Sequence, residues 1–241
     1  MTQESVTSFP ITYEKKTFLL ESVPGCREEQ ACARYEVIYP VFSGLDTTVA
    51  RTLQRAIELN VAMGDPDAAD KSLEEIGKDF ISGYREFSTA MQESGPGWYY
   101  QADVDVLLSV DTLLSLIIEE EHYTGGAHGG AATYFININP KKGMQVTLPD
   151  IFKTGYEDPL NAIGERLFRK ERQLSDTASF RYNDFEFPDD QFKLNLNFGF
   201  TEQGIVFVFN SYEVAPYAIG PTKILIPYGK IQDWLNTKPV L

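Results

Sequence analysis

Both histidines of the chain, His122 and His128, fall in one stretch, Glu119-Glu120-Glu121-His122-Tyr123-Thr124-Gly125-Gly126-Ala127-His128-Gly129-Gly130. Imidazole beside carboxylate is the donor set of a zinc or iron site. Two histidines do not close such a site: in a strand running into a corner nothing puts both rings on one face, and neither HExxH nor paired cysteines stand elsewhere. No metal and no cofactor is expected, and each imidazole should bond the loop backbone or face solvent. The glycines suggest a phosphate cradle, but such cradles pass from strand through glycines into a helix N-terminus. Here the chain leaves as Thr133-Tyr134-Phe135-Ile136-Asn137-Ile138, another strand. For nucleophilic catalysis neither a Gly-x-Ser-x-Gly elbow nor a cysteine with a histidine partner stands out. Carboxylates such as Asp103, Asp105, Asp189 and Asp190 leave a glycosidase-like pair open by count alone. No catalytic residue is assigned, and binding is favoured over turnover.

The elements that would position this corner read as follows. Residues 11–20 and 33–41 are rich in Tyr, Phe, Val and Ile and should form an antiparallel pair, with Pro40 ending the second strand. A helix opens at Ser43-Gly44-Leu45-Asp46 and ends at Gly64-Asp65-Pro66. A second helix over 67–91 carries Leu73, Ile76, Phe80, Tyr84, Phe87 and Met91 on one stripe, a face for packing on a sheet, and Gly95-Pro96-Gly97 stops it. Residues 98–110 alternate, with Tyr100, Ala102, Val104, Val106 and Leu108 on the buried side. Strands over 113–122 and 132–138 run into and out of the glycine corner, and 144–148 follows a polar turn. A short capped turn at Leu148-Pro149-Asp150-Ile151-Phe152 precedes a helix over 159–173. Strands over 192–200, 205–210 and 223–227 and a short helix over 230–235 close the chain. This order predicts an α+β fold, a mainly antiparallel sheet with helices packed on it. It divides into two closely associated halves, residues 9–130 and 131–238.

The totals bound the rest. With 241 residues, 43% of them hydrophobic, the chain can bury a sizeable core without metals or many disulfides. A formal charge of −14 excludes nucleic acid and anionic lipid as natural partners, since phosphate binding draws on Lys and Arg, and leaves a basic protein open. No apolar run approaches the ~20 residues that span a bilayer. Met1-Thr2-Gln3-Glu4-Ser5 is no leader: read literally it means a cytosolic protein, or equally one whose leader has been removed. Cys26 and Cys32 flank a turn-like connection whose ends must approach each other, which favours a disulfide over two unrelated thiols and so an oxidising compartment.

Tyr123-Thr124-Gly125-Gly126-Ala127-His128-Gly129, followed by Tyr134-Phe135-Ile136-Asn137-Ile138 and Leu148-Pro149-Asp150-Ile151-Phe152, resembles a family of bacterial extracytoplasmic domains. So does Tyr212-Glu213-Val214-Ala215-Pro216-Tyr217-Ala218-Ile219-Gly220-Pro221 with Ile226-Pro227-Tyr228 after it. These motifs are similar to the RsiV-like domains of unknown function, found in RsiV-type anti-sigma factors and beside the catalytic domain of PdaC-type peptidoglycan deacetylases. The resemblance implies an α+β fold, an exported protein, periplasmic or lipid-anchored, and a binding role at the cell envelope. Its partner would be a basic wall-associated protein such as lysozyme, or a peptidoglycan fragment. Neither a membrane helix nor a deacetylase domain accompanies the motifs, so those activities do not carry over. In a structural role Pro216, Gly220 and the corner glycines fix loop geometry, with Tyr123, Tyr217 and Tyr228 packing the loops. In a functional role the glycine corner and the Ala215-Pro216-Tyr217 loop form one rim, with His122, Tyr123, His128, Tyr134, Tyr212 and Tyr217 as ligand contacts.

Overall fold

A computed structural model describes residues 11–27, 30–91 and 96–236. Among them the fold is α+β and mainly antiparallel. Strands β1 (Thr12–Glu21), β2 (Ala33–Ser43), β3 (Trp98–Val110), β4 (Leu113–Tyr123), β5 (Gly130–Asn139) and β6 (Met144–Gln145) lie side by side in that order in one sheet. β1 and β2 are an antiparallel pair whose connection is closed by a Cys26–Cys32 disulfide. β2 and β3 run parallel, because helices α1 (Thr47–Asn60) and α2 (Leu73–Met91) carry the chain back between them. β3 to β6 are antiparallel neighbours. The sheet therefore runs through the junction at 130/131, and both halves of the chain build it.

Local chemistry sets most boundaries and moves some. The Asp46 carboxylate accepts from the Thr48 N–H at 2.8 Å and caps α1. The single helix expected over 67–91 is broken: residues 66–70 form a 3-10 turn, and α2 restarts after Ser72, whose N–H and hydroxyl donate to Glu75 at 2.9 and 2.7 Å. Pro40 does not end β2 but lies inside it, opposite Lys15. The β2–β3 register stops at Ile38, and a strand with one free side tolerates a missing N–H. Of the expected stop at Gly95-Pro96-Gly97, Gly95 lies outside the described residues. β6 is shorter than the expected 144–148, as the capped turn α3 (Leu148–Ile151) takes over from Thr147.

The large sheet is covered on both faces. Leu114, Leu116 and Ile118 of β4 join Tyr35, Tyr100, Val104, Leu53 and Ile57 in a core under α1 and α2. Leu113 points the other way, into a second core shared with β7 (Phe198–Phe200), β8 (Gly204–Phe209) and β9 (Thr222–Pro227), an antiparallel three-stranded sheet, and with helices α4 (Glu157–Glu171) and α5 (Tyr228–Ile231). α5 starts and stops earlier than the helix expected over 230–235. Phe168 of α4 is the centre of that core, with the rings of Phe180, Phe185, Phe187, Phe192 and Phe209 at 5.2 to 5.9 Å. A buried polar seam joins the sheets: Ser115 Oγ donates to Asn137 Oδ1 at 2.7 Å, Asn137 Nδ2 to the Phe198 carbonyl at 2.7 Å, and the Phe200 N–H to Ser115 Oγ at 2.9 Å. Each polar group there has a partner, which makes the seam specific rather than costly.

Candidate functional site

The register of the central strands places the site. On β4, Glu120 stands opposite Ala102 of β3 and Ala132 of β5, and His122 stands opposite Tyr100 and Gly130. Side chains alternate along a strand, so Glu120 and His122 share the face of Leu114, Leu116 and Ile118. That face is core further along and opens here, because the flanking alanines leave room above Glu120. Glycine at 130 lets the imidazole lie where it does, since a Cβ there would stand 2.6 Å from Cε1 of the His122 ring and push it aside. The result is a cleft of about 340 Å³ whose wall includes Glu120, His122, His128, Tyr134, Tyr212 and Tyr217.

The second rim comes from the small sheet, after β8. The Thr133 N–H and carbonyl of β5, on an edge that β6 leaves free, bond Asn210 Oδ1 at 2.8 Å and Asn210 Nδ2 at 3.0 Å, and Asn197 Nδ2 also donates to the Thr133 carbonyl at 2.7 Å. These bonds bring the loop after Asn210 onto the glycine corner. Arg172, just past α4, holds the far side of the loop by donating to the Ile219, Gly220 and Pro221 carbonyls at 3.2, 2.9 and 2.7 Å and to Thr222 Oγ1 at 2.8 Å. The His128 and Tyr217 rings then stack with centroids 4.1 Å apart, and Tyr212 stands 5.5 Å from Tyr217. Tyr212 has φ of 68°, a left-handed conformation that a bulky side chain adopts only where its surroundings enforce it.

Hydrogen bonds assign the His128 tautomer. The Gly129 carbonyl at 2.7 Å can only accept, so Nδ1 carries the proton, and Nε2 faces the Tyr212 hydroxyl at 3.4 Å. At the floor, the Glu120 carboxyl is buried and accepts from the Tyr100 hydroxyl at 2.6 Å. Burial pushes its pKa above the ordinary carboxylate value, against the lowering effect of that bond. Burial likewise pulls His122 below the ordinary imidazole value. His122 Nδ1 is buried without a partner among the described residues, 3.9 Å from Glu120 Oε1.

His122 and His128 therefore line one cleft, contrary to the expectation that nothing brings them to one face; the turn at Gly125 and Gly126, both at positive φ, folds the corner back. Tyr123 sits behind the rim, its hydroxyl donating to the Gly126 carbonyl at 2.9 Å. Tyr228 lies elsewhere, bonding the Thr201 carbonyl at 3.0 Å. Glu120, Arg172 and Asn210 are site residues that motif reading passed over. For Glu120 a signal was present, since it falls on the inward positions of an alternating strand. Among the described residues, no three His, Cys, Asp or Glu side chains converge as a metal site, and no helix is long and apolar enough to cross a membrane. A larger groove of about 560 Å³ between α1 and β5 has neither histidine nor carboxylate in its described lining, and its Arg55 is held by the Ala68 and Lys71 carbonyls.

Residues 26–131 match the family model described as "Deacetylase PdaC", and residues 149–229 match "Protein of unknown function (DUF3298)". No curated protein matches the chain. Among solved structures, a member of the DUF3298 family from Bacteroides fragilis is 22% identical, with 95% of each chain covered and a TM-score of 0.71. A DUF3298 family protein from Pseudomonas aeruginosa is 20% identical, with 96% of each chain covered and a TM-score of 0.69. These neighbours share the fold. One family match spans the corner through Ala131 and the other the Tyr212–Tyr217 loop, and together they support a PdaC/DUF3298-type domain, in keeping with the chain's resemblance to the RsiV-like proteins.

Proposed function

We propose that this domain is a non-enzymatic recognition module that works outside the cytoplasm, at the bacterial envelope, and binds a wall-derived glycan in the cleft between the glycine corner and the Tyr212–Tyr217 loop. The observation that carries the reading is the stacking of His128 on Tyr217, from segments that two separate motifs mark out. Aromatic rings lining a concave cleft suit the apolar faces of sugar rings, and the one carboxyl group in the cleft's described lining, Glu120, orients a polar group of the ligand. A hydrolytic carboxylate pair needs a second acid across the cleft, and that lining offers Glu120 alone. The Cys26–Cys32 disulfide supports an oxidising compartment, which a periplasmic or lipid-anchored protein occupies.

The RsiV-like resemblance supports a second reading, in which the same rim docks a basic wall hydrolase such as lysozyme. The charge of −14 favours that encounter electrostatically. Calorimetric titration with muropeptides and with lysozyme separates the two. Saturable muropeptide binding that Tyr217→Ala weakens about tenfold or more is expected. Binding of lysozyme alone moves the assignment to a protein partner, and heat from neither ligand at millimolar concentration refutes both.

A further inference from the structure

Glu120 is a buried acid with an incomplete set of partners. Its Oε2 accepts one hydrogen bond, from Tyr100, and its Oε1 has His122 Nδ1 at 3.9 Å, beyond bonding distance. Lys and Arg are absent from the described lining of the cleft, although elsewhere in this chain more accessible acids such as Asp65, Asp79 and Asp103 have a lysine within 2.8 Å. A buried carboxylate with one neutral donor is under-compensated, and a cation is what completes it. The lining also holds the rings of Tyr134, Tyr212, Tyr217 and His128, aromatic groups whose π electrons favour positive charge. A cation gains from both features, where a neutral polar group gains a single hydrogen bond.

We infer that the cleft selects a sugar carrying a free, protonated amino group, a 2-amino-2-deoxyhexose unit, over its N-acetylated counterpart. The ammonium donates to Glu120 Oε1 while the ring lies against the stacked His128 and Tyr217. Acetylation removes the charge and two of the three N–H donors, leaving one neutral amide N–H for Glu120. A lysine side chain offers the same ammonium, but it has no ring to lie on the aromatic wall. This inference deepens the proposed glycan reading and rests on it.

The test is titration of the intact protein with a glucosamine trimer and with the N-acetylglucosamine trimer, followed by a short lysine-containing peptide. Tighter binding of the amino trimer, by about tenfold or more, is expected. Glu120→Gln should bring the amino trimer down to the affinity of the acetylated one, with thermal melting as the check that the variant is folded. Tyr217→Ala, at an exposed position, should weaken both sugars. Equal or better binding of the acetylated trimer, or an amine preference that survives Glu120→Gln, overturns the inference while leaving glycan recognition standing. Tighter binding of the peptide than of the amino trimer overturns the assignment to a sugar. If neither trimer binds and muropeptides also fail, the glycan reading itself falls.

Discussion

Reduction of the Cys26–Cys32 bond should lower the melting temperature by about 4 °C. The two cysteines are 6 residues apart, and closing so short a loop removes about 2 kcal/mol of unfolded-state entropy in the chain-entropy treatment. A chain of 241 residues has an unfolding entropy near 0.5 kcal/mol/K at roughly 2.1 cal/mol/K per residue, so ~2 kcal/mol corresponds to ~4 °C. Both sulfurs are buried, so replacing them with alanine adds the loss of burial, on the order of 1 kcal/mol, and reduction of the wild-type chain isolates the linkage more cleanly. Calorimetry with and without a phosphine reductant, after thiol counting, reads the shift. The effect should also be local, because the Cys32 carbonyl accepts from the Trp98 N–H at 2.9 Å and the Ser22 N–H bonds the Ala33 carbonyl at 2.8 Å. Amide exchange at Trp98 and Ser22 should quicken on reduction while Phe168 and Phe207 stay protected. Melting unchanged within about 1 °C, or a collapse of more than about 10 °C, refutes the reasoning. The first would mean the loop is held without its bond, and the second that the bond staples the core rather than one connection.

Three further outcomes follow from packing and titration. Phe168→Ala, at a fully buried ring surrounded by five others, should cost about 3–5 kcal/mol in urea unfolding, and a loss under 1 kcal/mol would mean the phenylalanine cluster can collapse around the void. Gly97→Ala should cost roughly 3 kcal/mol, since its Cβ would stand 2.2 Å from the Gln30 carbonyl oxygen and backbone must move, whereas Ala at Gly126 meets open space and pays only for its positive φ, about 1 kcal/mol. Glu120 titrates above its ordinary value of 4.5 when folded, so the folded chain holds that proton more tightly than the unfolded chain. Its stabilising contribution is complete below 4.5 and is lost as pH rises through the raised folded value. Glu120→Gln should therefore gain melting temperature relative to wild type as pH rises from about 4 to 8, with Tyr100, His122 and Tyr134 facing it in both proteins, and a flat difference counts against an under-compensated acid.

Much of this architecture was legible along the chain because its strongest signals are local. Alternation over 98–110 marks β3 because Tyr100, Ala102 and Val104 have no exposure while Asp105 faces solvent. Residues 192–197 mislead for a physical reason. Phe192, Leu194 and Leu196 alternate as in a strand, yet the Leu194 N–H is taken by Asn161 Oδ1, and Asn195 and Asn197 both donate from their side chains to the Val208 carbonyl. Beside one backbone bond, from the Val208 N–H to the Asn197 carbonyl, side-chain amides take the place of a ladder there, and Leu196 is left 86% exposed. Nothing in a period of two distinguishes those cases.

The site divides in the same way. His128, Tyr212 and Tyr217 can be picked by residue type in a glycine- or proline-marked loop, but what brings them together is non-local: Asn210 on the free edge of β5, and Arg172 on three carbonyls of a loop more than 40 residues further on. Those side chains carry no motif because their partners are backbone atoms, which any sequence supplies. Glu120 is the instructive case. Glu119 and Glu121 are exposed on the opposite face, and one step of register separates a solvated glutamate from one on the floor of a cleft. A run of three glutamates looks like a charged surface until the parity of Leu114, Leu116 and Ile118 is extended through it. That extension lands on an acid between two alanines, where the sheet needs a side chain that packs. A polar group kept at such a position costs stability, so the cleft above it is where its use has to be sought.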